Sequence, residues 1–230
     1  MKAIRTFDRV LANPPFSLKS WGHDVWSKGD AFGRDRYGCP PKSYGDLAFV
    51  QHMVASLKED GVCGVVLPHG VLFRGGAEGK IREGLIKDDL IEAVIGLAPN
   101  LFYGAGIPAC ILILRKTKQA ARKGQILIVN GAEHFVEGKA QNYLSVANVT
   151  TLAKAYGDFA DAERLARVVP VSEIEANDFN LNISRYVHLG EEAEEVDVAA
   201  EVEKLIELQA ERDAAEARMM GFLRELGYVA

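Results

Sequence analysis

The segment Asn13-Pro14-Pro15-Phe16 holds the residue types in this chain that are best suited to chemistry. The Asn13 amide offers an oxygen acceptor, and the two prolines leave carbonyl groups without competing N–H groups. The amide oxygen and a neighbouring main-chain carbonyl can accept both hydrogens of one exocyclic amino group, which leaves the nitrogen lone pair free to attack an electrophilic methyl group. Phe16 offers a face on which an extruded purine can stack. A proline turn with a packed Phe explains these four residues equally well.

The hydrophobic pattern around this segment predicts an open α/β sheet. Residues 7–12 read as a short buried strand that ends at the prolines, so Asn13 lies at a carboxyl end, where such sheets bind ligands. Strands 90–95 and 109–114 have no helix between them and are therefore expected to be antiparallel. The pattern also predicts strands at 62–67 and 125–129 and helices at 45–57, 78–86 and 149–156.

A long connection at residues 17–44 has no clear hydrophobic period, and connections of this length are usually functional. Trp21 and Trp26 could stack on nucleic-acid bases or anchor the loop, and the sequence alone leaves both roles open. Phosphate contacts are a second possible role of this loop, although solvation is the commoner role of scattered surface charges. The basic candidates for such contacts are Arg34, Arg36 and Lys42.

The composition narrows the class of protein. With 230 residues, 48% of them hydrophobic and 26% charged, the chain can bury one good core in one or two domains. Its apolar runs, such as 109–114, are much shorter than the roughly 20 residues that span a bilayer. The N-terminus shows no apolar signal segment. Three widely spaced cysteines indicate a reducing, cytoplasmic location, with no metal site expected.

Charge is distributed unevenly along the chain. The net charge is −5, but residues 190–203 contain seven acids and no base. Without that stretch, 27 bases stand against 25 acids, so the charge neither demands nor excludes a nucleic-acid partner. The seven acids are Glu191, Glu192, Glu194, Glu195, Asp197, Glu201 and Glu203.

The end of the chain, residues 191–226, is predicted to be strongly helical. Seven apolar residues share one heptad frame, which Glu201 and Arg212 interrupt: Val198, Leu205, Leu208, Ala215, Met219, Phe222 and Leu226. Such a helix can pack on its own domain or dock on another subunit, including a second copy. We therefore expect three regions: 1–130 as a catalytic part, 131–189 as an irregular extension, and 190–230 as an acidic, then amphipathic tail for subunit association.

Longer motifs point to a family. Residues 7–16 resemble the catalytic motif IV of amino methyltransferases, and the sequence beyond them resembles the modification (M) subunit of type I restriction-modification systems. The resemblance runs from about residue 7 to residue 187, with several long motifs in the family's order. The matching stretches are Asp46–His52, Val66–Arg82, Leu101–Pro108 and Asn177–Val187.

The resemblance implies an activity and roles for residues. The family methylates adenine N6 in duplex DNA with S-adenosylmethionine, and a specificity subunit reads the sequence. It implies that Asn13 and Pro14 hold the N6 amino group, that Phe16 stacks on the flipped adenine, and that the methyl group transfers directly, without a covalent enzyme intermediate or a metal. Phe102 and Tyr103 occupy a turn where related methyltransferases place a second aromatic residue.

The resemblance covers only the C-terminal half of an M subunit. The family's N-terminal helical domain and its Gly-rich motif I have no counterpart here, and the one GxG, at 104–106, precedes a strand instead of a helix. The expected fold is therefore the later strands of a Rossmann-like methyltransferase sheet, with strand 7–12 unpaired on one side and a long C-terminal helix. The isolated chain is expected not to bind S-adenosylmethionine tightly and to be inactive alone.

Three functions remain open at this stage. The first is the catalytic-motif half of a type I DNA methyltransferase, with DNA, the specificity and restriction subunits and the missing N-terminal half as partners. The second is a non-enzymatic assembly module that binds a specificity subunit or a second copy. The third, an amino methyltransferase acting on protein glutamine or ribosomal RNA, is disfavoured because such enzymes usually carry Tyr after the prolines and lack the stretches 49–52 and 74–76.

Overall fold

The computed structural model describes residues 4–103, 106–189 and 198–228, with side chains in the last range from residue 202 onward. The chain divides into two compact units, Met1–Leu189 and Gly190–Ala230. The first unit contains a mixed sheet flanked by helices, and the second contains one long helix.

The sheet has six strands in the spatial order β1-β2-β4-β3-β5-β6. β1 is parallel to β2 and β3 is parallel to β5, whereas β4 runs antiparallel to both β2 and β3. The predicted α/β sheet and the antiparallel pairing across residues 98–108 are therefore confirmed. The strands are β1 (Phe7–Ala12), β2 (Leu57–Pro68), β3 (Ile91–Leu97), β4 (Ala109–Arg115), β5 (Gln125–Gly131) and β6 (Ala166–Pro170).

The helices of the first unit cover the sheet because their apolar faces are buried against it. Val50 of the helix between β1 and β2 is fully buried, and so is Ile81 of the helix between β2 and β3. Ser145 begins the helix after β5 with a capping box, in which its side chain and that of Asn148 satisfy each other's backbone N–H groups. The helices are α1 (His23–Trp26), α2 (Asp46–Ala55), α3 (Gly76–Lys87), α4 (Val146–Asp158) and α5 (Val171–Ala176).

The first strand lies at the edge of the sheet. Among the described residues β1 pairs with β2 alone, and the Leu11 side chain is 87% exposed. Leu11 lies opposite Gly64 in the parallel register. This strand was expected to be buried, which is wrong: none of its six residues is buried, because one of its sides has no neighbouring strand among the described residues.

The segment after residue 130 contains more regular structure than the sequence predicted. Strand β6 was not expected, because five residues ending at Pro170 are too few to show a clear alternation. Residues 173–188 were expected to be irregular, which is wrong for α5 and for the short 3-10 helix Ile183–Arg185. Asn side chains that bond to nearby backbone, such as Asn180 accepting from the Asn182 N–H at 2.8 Å, replace a hydrophobic period there.

Residues of this later segment also join the main hydrophobic core. Ile174, Leu181 and Ile183 are at most 4% exposed and pack in the same cluster as α2 and α3. The division of the first unit at residue 130 into a catalytic part and an extension stays a prediction.

The second unit contains α6 (Val198–Glu225), a helix of 28 residues that confirms the predicted helical end of the chain. Four heptad residues with described side chains, Leu205, Leu208, Met219 and Phe222, are each more than half exposed. The acidic residues 191–197 lie outside the described part of the chain. In the ranges that are described, no helix is both long and apolar enough to cross a membrane.

Candidate active site

The segment Asn13–Phe16 follows β1 directly and occupies the carboxyl end of that strand. Asn13 and Pro15 are exposed, Pro14 is buried, and Phe16 is partly buried. The buried proline therefore anchors the segment to the protein, while the amide of Asn13 stays open to solvent. The Asn13 amide therefore lies at the carboxyl end of a strand, the part of an open α/β sheet where ligands generally bind.

Phe16 meets Phe102 at this rim. The two ring centroids lie 5.7 Å apart at an interplanar angle of 66°, which is an edge-to-face pair. The topology explains the meeting: β1, β2 and β3 point the same way, because β4 is antiparallel to both β2 and β3. The connection that leaves β3 therefore begins at the same end of the sheet's strands as Asn13. Tyr103, the next residue, is 93% exposed.

The chain immediately after Phe16 is held by the start of α2. Ser17 has a positive φ of 51°, and its N–H donates to Oδ1 of Asp46 at 2.8 Å. One residue on, the Leu18 carbonyl accepts from the Gly45 N–H at 3.1 Å. Asp46 is fully buried, and burial raises the pKa of its carboxyl despite the opposing effects of the Ser17 N–H and the Arg74 charge.

A second buried carboxyl, Glu78, shares the guanidinium of Arg74 with Asp46. Nη1 of Arg74 lies 3.8 Å from Oδ2 of Asp46 and 3.5 Å from Oε1 of Glu78. These three atoms are buried, and no described residue forms a hydrogen bond with any of them. Burial raises the pKa of Glu78, and the neighbouring Asp46 charge raises it further. We call Asp46, Arg74 and Glu78 the Asp46 cluster.

The sequence reasoning did not identify this cluster as part of a site. It noted Asp46, Arg74 and Glu78 only as members of matching stretches. The one available signal was an acid at the start of a helix whose following residues are nearly all apolar. That signal gives no information about which distant backbone group the acid binds.

The tryptophans of the long loop contact each other inside the loop. Nε1 of Trp21 donates to the Pro41 carbonyl at 3.3 Å, and the Trp21 and Trp26 rings form an edge-to-face pair at 5.8 Å. A Cβ at Gly45 would lie 2.6 Å from the Trp21 ring, so the glycine at this position lets the ring pack against the chain. These contacts favour an anchoring role for Trp21.

The three basic candidates of this loop have acidic neighbours. Arg34 forms an ion pair with Asp30, whose pKa the Arg34 hydrogen bond lowers to about 2, and the guanidinium lies 4.9 Å from the Trp26 ring. Arg36 and Lys42 are exposed. Arg36 lies 2.6 Å from Asp88, and Lys42 lies 3.7 Å from Asp24.

The loop and helix α2 together line an open cavity of about 300 Å³. Among its lining residues are Trp21, Trp26, Arg34, Phe49 and His52.

The described residues do not fit a complete S-adenosylmethionine site. A turn of that kind needs a strand, a glycine turn and then a helix, whereas Gly106 is followed by β4. The other two residues of that GxG, 104 and 105, lie outside the described ranges. Over the residues that are described, no group of three or more His, Cys, Asp or Glu side chains is placed to hold a metal ion.

Comparison with known proteins gives consistent results. Residues 1–195 match the model of the N-6 DNA Methylase family. The methylase subunit of the type I restriction enzyme MjaVIII of Methanocaldococcus jannaschii is 38% identical over 98% of this chain and 39% of that protein. The MpnII methylase subunit of Mycoplasma pneumoniae is 32% identical over 84% of this chain and 35% of that protein.

A solved structure leads to the same family. The methyltransferase subunit of a type I restriction-modification system from Streptococcus thermophilus superposes with a TM-score of 0.73 at 38% identity, covering 80% of this chain and 39% of that one. The present chain thus spans about two fifths of the length of the relatives it matches. The chain belongs to the N-6 DNA methylase family and corresponds to part of the methylase subunit of a type I restriction enzyme.

Proposed function

We propose that this chain holds the target adenine while a type I modification enzyme methylates N6 of that base in DNA. The observation that carries the proposal is the pairing of the Asn13–Phe16 segment, at the exposed end of β1, with the Phe102 ring from the β3–β4 connection. An amide, a proline carbonyl and two aromatic rings are the groups that an extruded adenine requires.

The chemistry follows from the hydrogen bonds that these groups can make. Oδ1 of Asn13 and the carbonyl of Pro14 each accept one hydrogen of the N6 amino group. The two prolines contribute no N–H that would compete for these acceptors. With both hydrogens held aside, the nitrogen lone pair is drawn out of conjugation with the purine and projects out of the ring plane, so no covalent bond to the enzyme is needed. One of the two protons leaves N6 as the methyl group is transferred. S-adenosylmethionine supplies the methyl group in the complete enzyme.

The aromatic residues hold the base. Stacking of a base on an aromatic side chain is worth about 1–3 kcal/mol, which offsets much of the cost of extruding the base from the duplex. In this proposal Phe16 stacks on the adenine and Phe102 holds the Phe16 ring in place through their edge-to-face contact, while the exposed Tyr103 faces the DNA. Trp21, Arg34, Arg36 and Lys42 are weaker candidates for DNA contact, because each already contacts groups within the protein.

Cofactor, recognition and cleavage belong to other parts of the assembly. We propose that an N-terminal half completes the cofactor site, that a specificity subunit selects the DNA sequence, and that a restriction subunit joins the complex in the cytoplasm. The isolated chain then binds S-adenosylmethionine only at millimolar concentration or not at all. Calorimetric titration tests this, and saturable binding at micromolar concentration would contradict it.

Complementation tests the proposed function. The chain is mixed with a specificity subunit and with the N-terminal residues that its own segment does not cover, taken from the 38% identical MjaVIII methylase subunit. We expect N6-methyladenine in DNA, detected by mass spectrometry, only when all components are present. A control mixture without this chain measures the background. Methylation by the chain alone, or a fully assembled complex that transfers no methyl group, would contradict the proposal.

A second candidate function, assembly without catalysis, rests on helix α6. Its exposed apolar side chains, including Leu205, Leu208 and Phe222, offer a surface whose burial is worth roughly 25 cal/mol per Å². Their heptad spacing suits a two-helix seam, so we propose that the isolated chain forms a homodimer through this helix. Light scattering compares the full chain with a version that ends at Gly190. A monomeric full-length chain would contradict the dimer, and an oligomer unchanged by truncation would move the contact to the β1 edge.

A further inference from the structure

We propose that Asp46 is a positioning residue for the catalytic segment, acting through its hydrogen bond to the Ser17 N–H. The inference rests on the proposed function. Asp46 touches neither base nor cofactor, and it acts on the reaction only through the Asn13–Phe16 segment. Asp46 fixes the backbone directly after Phe16, and it thereby fixes the angle of the Phe16 ring to Phe102 and to the target base.

The backbone at Ser17 is the first observation that supports this role. A φ of 51° is a left-handed conformation that side-chain-bearing residues adopt only where the surroundings impose it. Here Oδ1 of Asp46 accepts the Ser17 N–H at 2.8 Å, and the Gly45 N–H binds the next carbonyl at 3.1 Å. Both contacts come from the first turn of α2 or the residue before it. The start of α2 therefore sets the direction in which the chain leaves the Phe16 ring.

The surroundings of Asp46 are the second observation. A buried carboxylate needs a countercharge, and Arg74 is the cation that faces it, although Glu78 of α3 shares the same guanidinium nitrogen. Three polar atoms of this cluster form no hydrogen bond with any described residue. Buried polar atoms left in this state are an expensive way to stabilise a fold and are commoner where a function requires them. The Asp46 cluster thus holds a carboxylate against the Ser17 N–H with only longer ion-pair contacts to compensate its burial.

Further contacts hold the Asp46 cluster in place. The ring of Tyr44 lies 4.2 Å from the Cζ of Arg74. Arg82 lies on α3 one turn after Glu78 and is 5% exposed. It donates to the carbonyls of Arg74 at 2.8 Å and Phe179 at 2.7 Å. These contacts hold the main chain at Arg74, so α3 supports Asp46, and Asp46 supports Ser17.

Hydrogen exchange on the full chain tests the contact itself. In Asp46→Ala the Ser17 amide should exchange about 10- to 100-fold faster, as expected when an acceptor that carries charge is removed. Asp46→Asn keeps an acceptor oxygen in place and should stay within about threefold of the parent. Glu78→Gln changes the other carboxyl, which does not touch Ser17, and serves as the matched control.

The central strand amides distinguish positioning from general stability. Val65 and Leu112 are paired across β2 and β4, and both are fully or almost fully buried. The exchange of their amides should be unchanged in Asp46→Ala. Equal acceleration at Ser17 and at these strands would overturn the proposal, because it would show a structural role only. Unchanged Ser17 exchange would overturn it as well. If Asp46→Ala does not fold, Asp46→Glu replaces it, since the longer side chain displaces the acceptor and should still accelerate Ser17.

Catalysis in the complemented enzyme provides the second readout. Asp46→Ala should lower kcat roughly 10- to 100-fold with little change in KM for DNA, since a misplaced group near the reacting atoms costs that much. Asp46→Asn should restore most of the rate. Equal kcat for parent and Asp46→Ala would overturn the positioning role. A parent complex without methylation would instead refute the proposed function, and the exchange experiment would still decide whether Asp46 holds Ser17.

Discussion

Two buried charge clusters lie at opposite ends of the strands, and their charges are arranged differently. At the amino end of β3, the fully buried Glu92 accepts from Arg115 and Arg122, each at 2.5 Å, and from the Tyr156 hydroxyl at 3.3 Å. Two cations therefore surround one carboxylate. In the Asp46 cluster, at the carboxyl end of β1, one Arg faces two carboxyls at 3.5 Å and 3.8 Å.

The pKa shifts follow the two arrangements. Burial opposes the charge of Glu92, but the hydrogen bonds from Arg122 and Arg115 outweigh burial and lower its pKa. Burial raises the pKa of both Asp46 and Glu78, because a shared and more distant Arg does not compensate it. The comparison indicates that Glu92 is a well-compensated buried charge, whereas the Asn13–Phe16 segment lies beside a poorly compensated one.

The largest stability effect is expected from Glu92→Ala. Removing this carboxylate, which contacts both Arg115 and Arg122, leaves two partly buried cations without it, which costs about 3–5 kcal/mol of unfolding free energy. Urea unfolding measures the loss. Glu59→Ala is the control, since the Glu59 side chain is 89% exposed and its pair with Lys116 at 3.6 Å should contribute less than about 1 kcal/mol. Equal losses of unfolding free energy in the two variants would contradict the view that Glu92 is a well-compensated buried charge.

A smaller effect is expected for the aromatic pair at the site edge. In a double-mutant cycle, Phe16→Leu and Phe102→Leu should show a coupling of about 0.5–1.5 kcal/mol in unfolding free energy, because the two rings meet edge to face. Urea unfolding of the parent, the two single variants and the double variant gives the value. Additive losses would show that the rings do not interact in solution.

The smallest effect is expected for Glu78→Gln, and its sign depends on pH. Because the folded-state pKa of Glu78 is raised, the folded chain binds the proton more tightly than the unfolded chain. The contribution of Glu78 to stability is therefore fully present below its unfolded pKa of about 4.3 and is lost as pH rises through the folded pKa. Gln does not titrate, so the variant should gain on the parent as pH rises above the unfolded pKa of Glu78, by less than about 1 kcal/mol. A parallel pH dependence in both chains would contradict this.

Local signals in the sequence predicted much of the fold and the centre of the candidate site. The pattern of residues 7–12 followed by two prolines indicated the bounds of β1, and the uninterrupted apolar runs indicated β4 and the C-terminal half of β2. Each of these elements is determined by neighbouring residues. The position of Asn13 at a strand end followed directly from them.

Features that depend on distant contacts could not be predicted from the residues alone. The approach of Phe102 to Phe16 requires the antiparallel insertion of β4, and the bond from Ser17 to Asp46 requires the crossover of α2. Residues 173–188 pack into the core through side chains spaced by Asn–backbone bonds, and no hydrophobic period marks that arrangement. The resemblance to a family placed Phe102 near the base, but it gave no geometry for the Asp46 cluster.

The most direct test of the account is the methylation rate of the complemented enzyme with Asn13→Ala. Asn13 is exposed, so its truncation should leave the thermal unfolding midpoint of the chain unchanged. Loss of a polar group positioned at the reacting nitrogen should lower N6-methyladenine formation by about 100-fold or more, whereas Glu59→Gln, at the far end of β2, should match the parent. Methylation by the Asn13→Ala enzyme within a few-fold of the parent would contradict the central claim that this residue holds the target amino group.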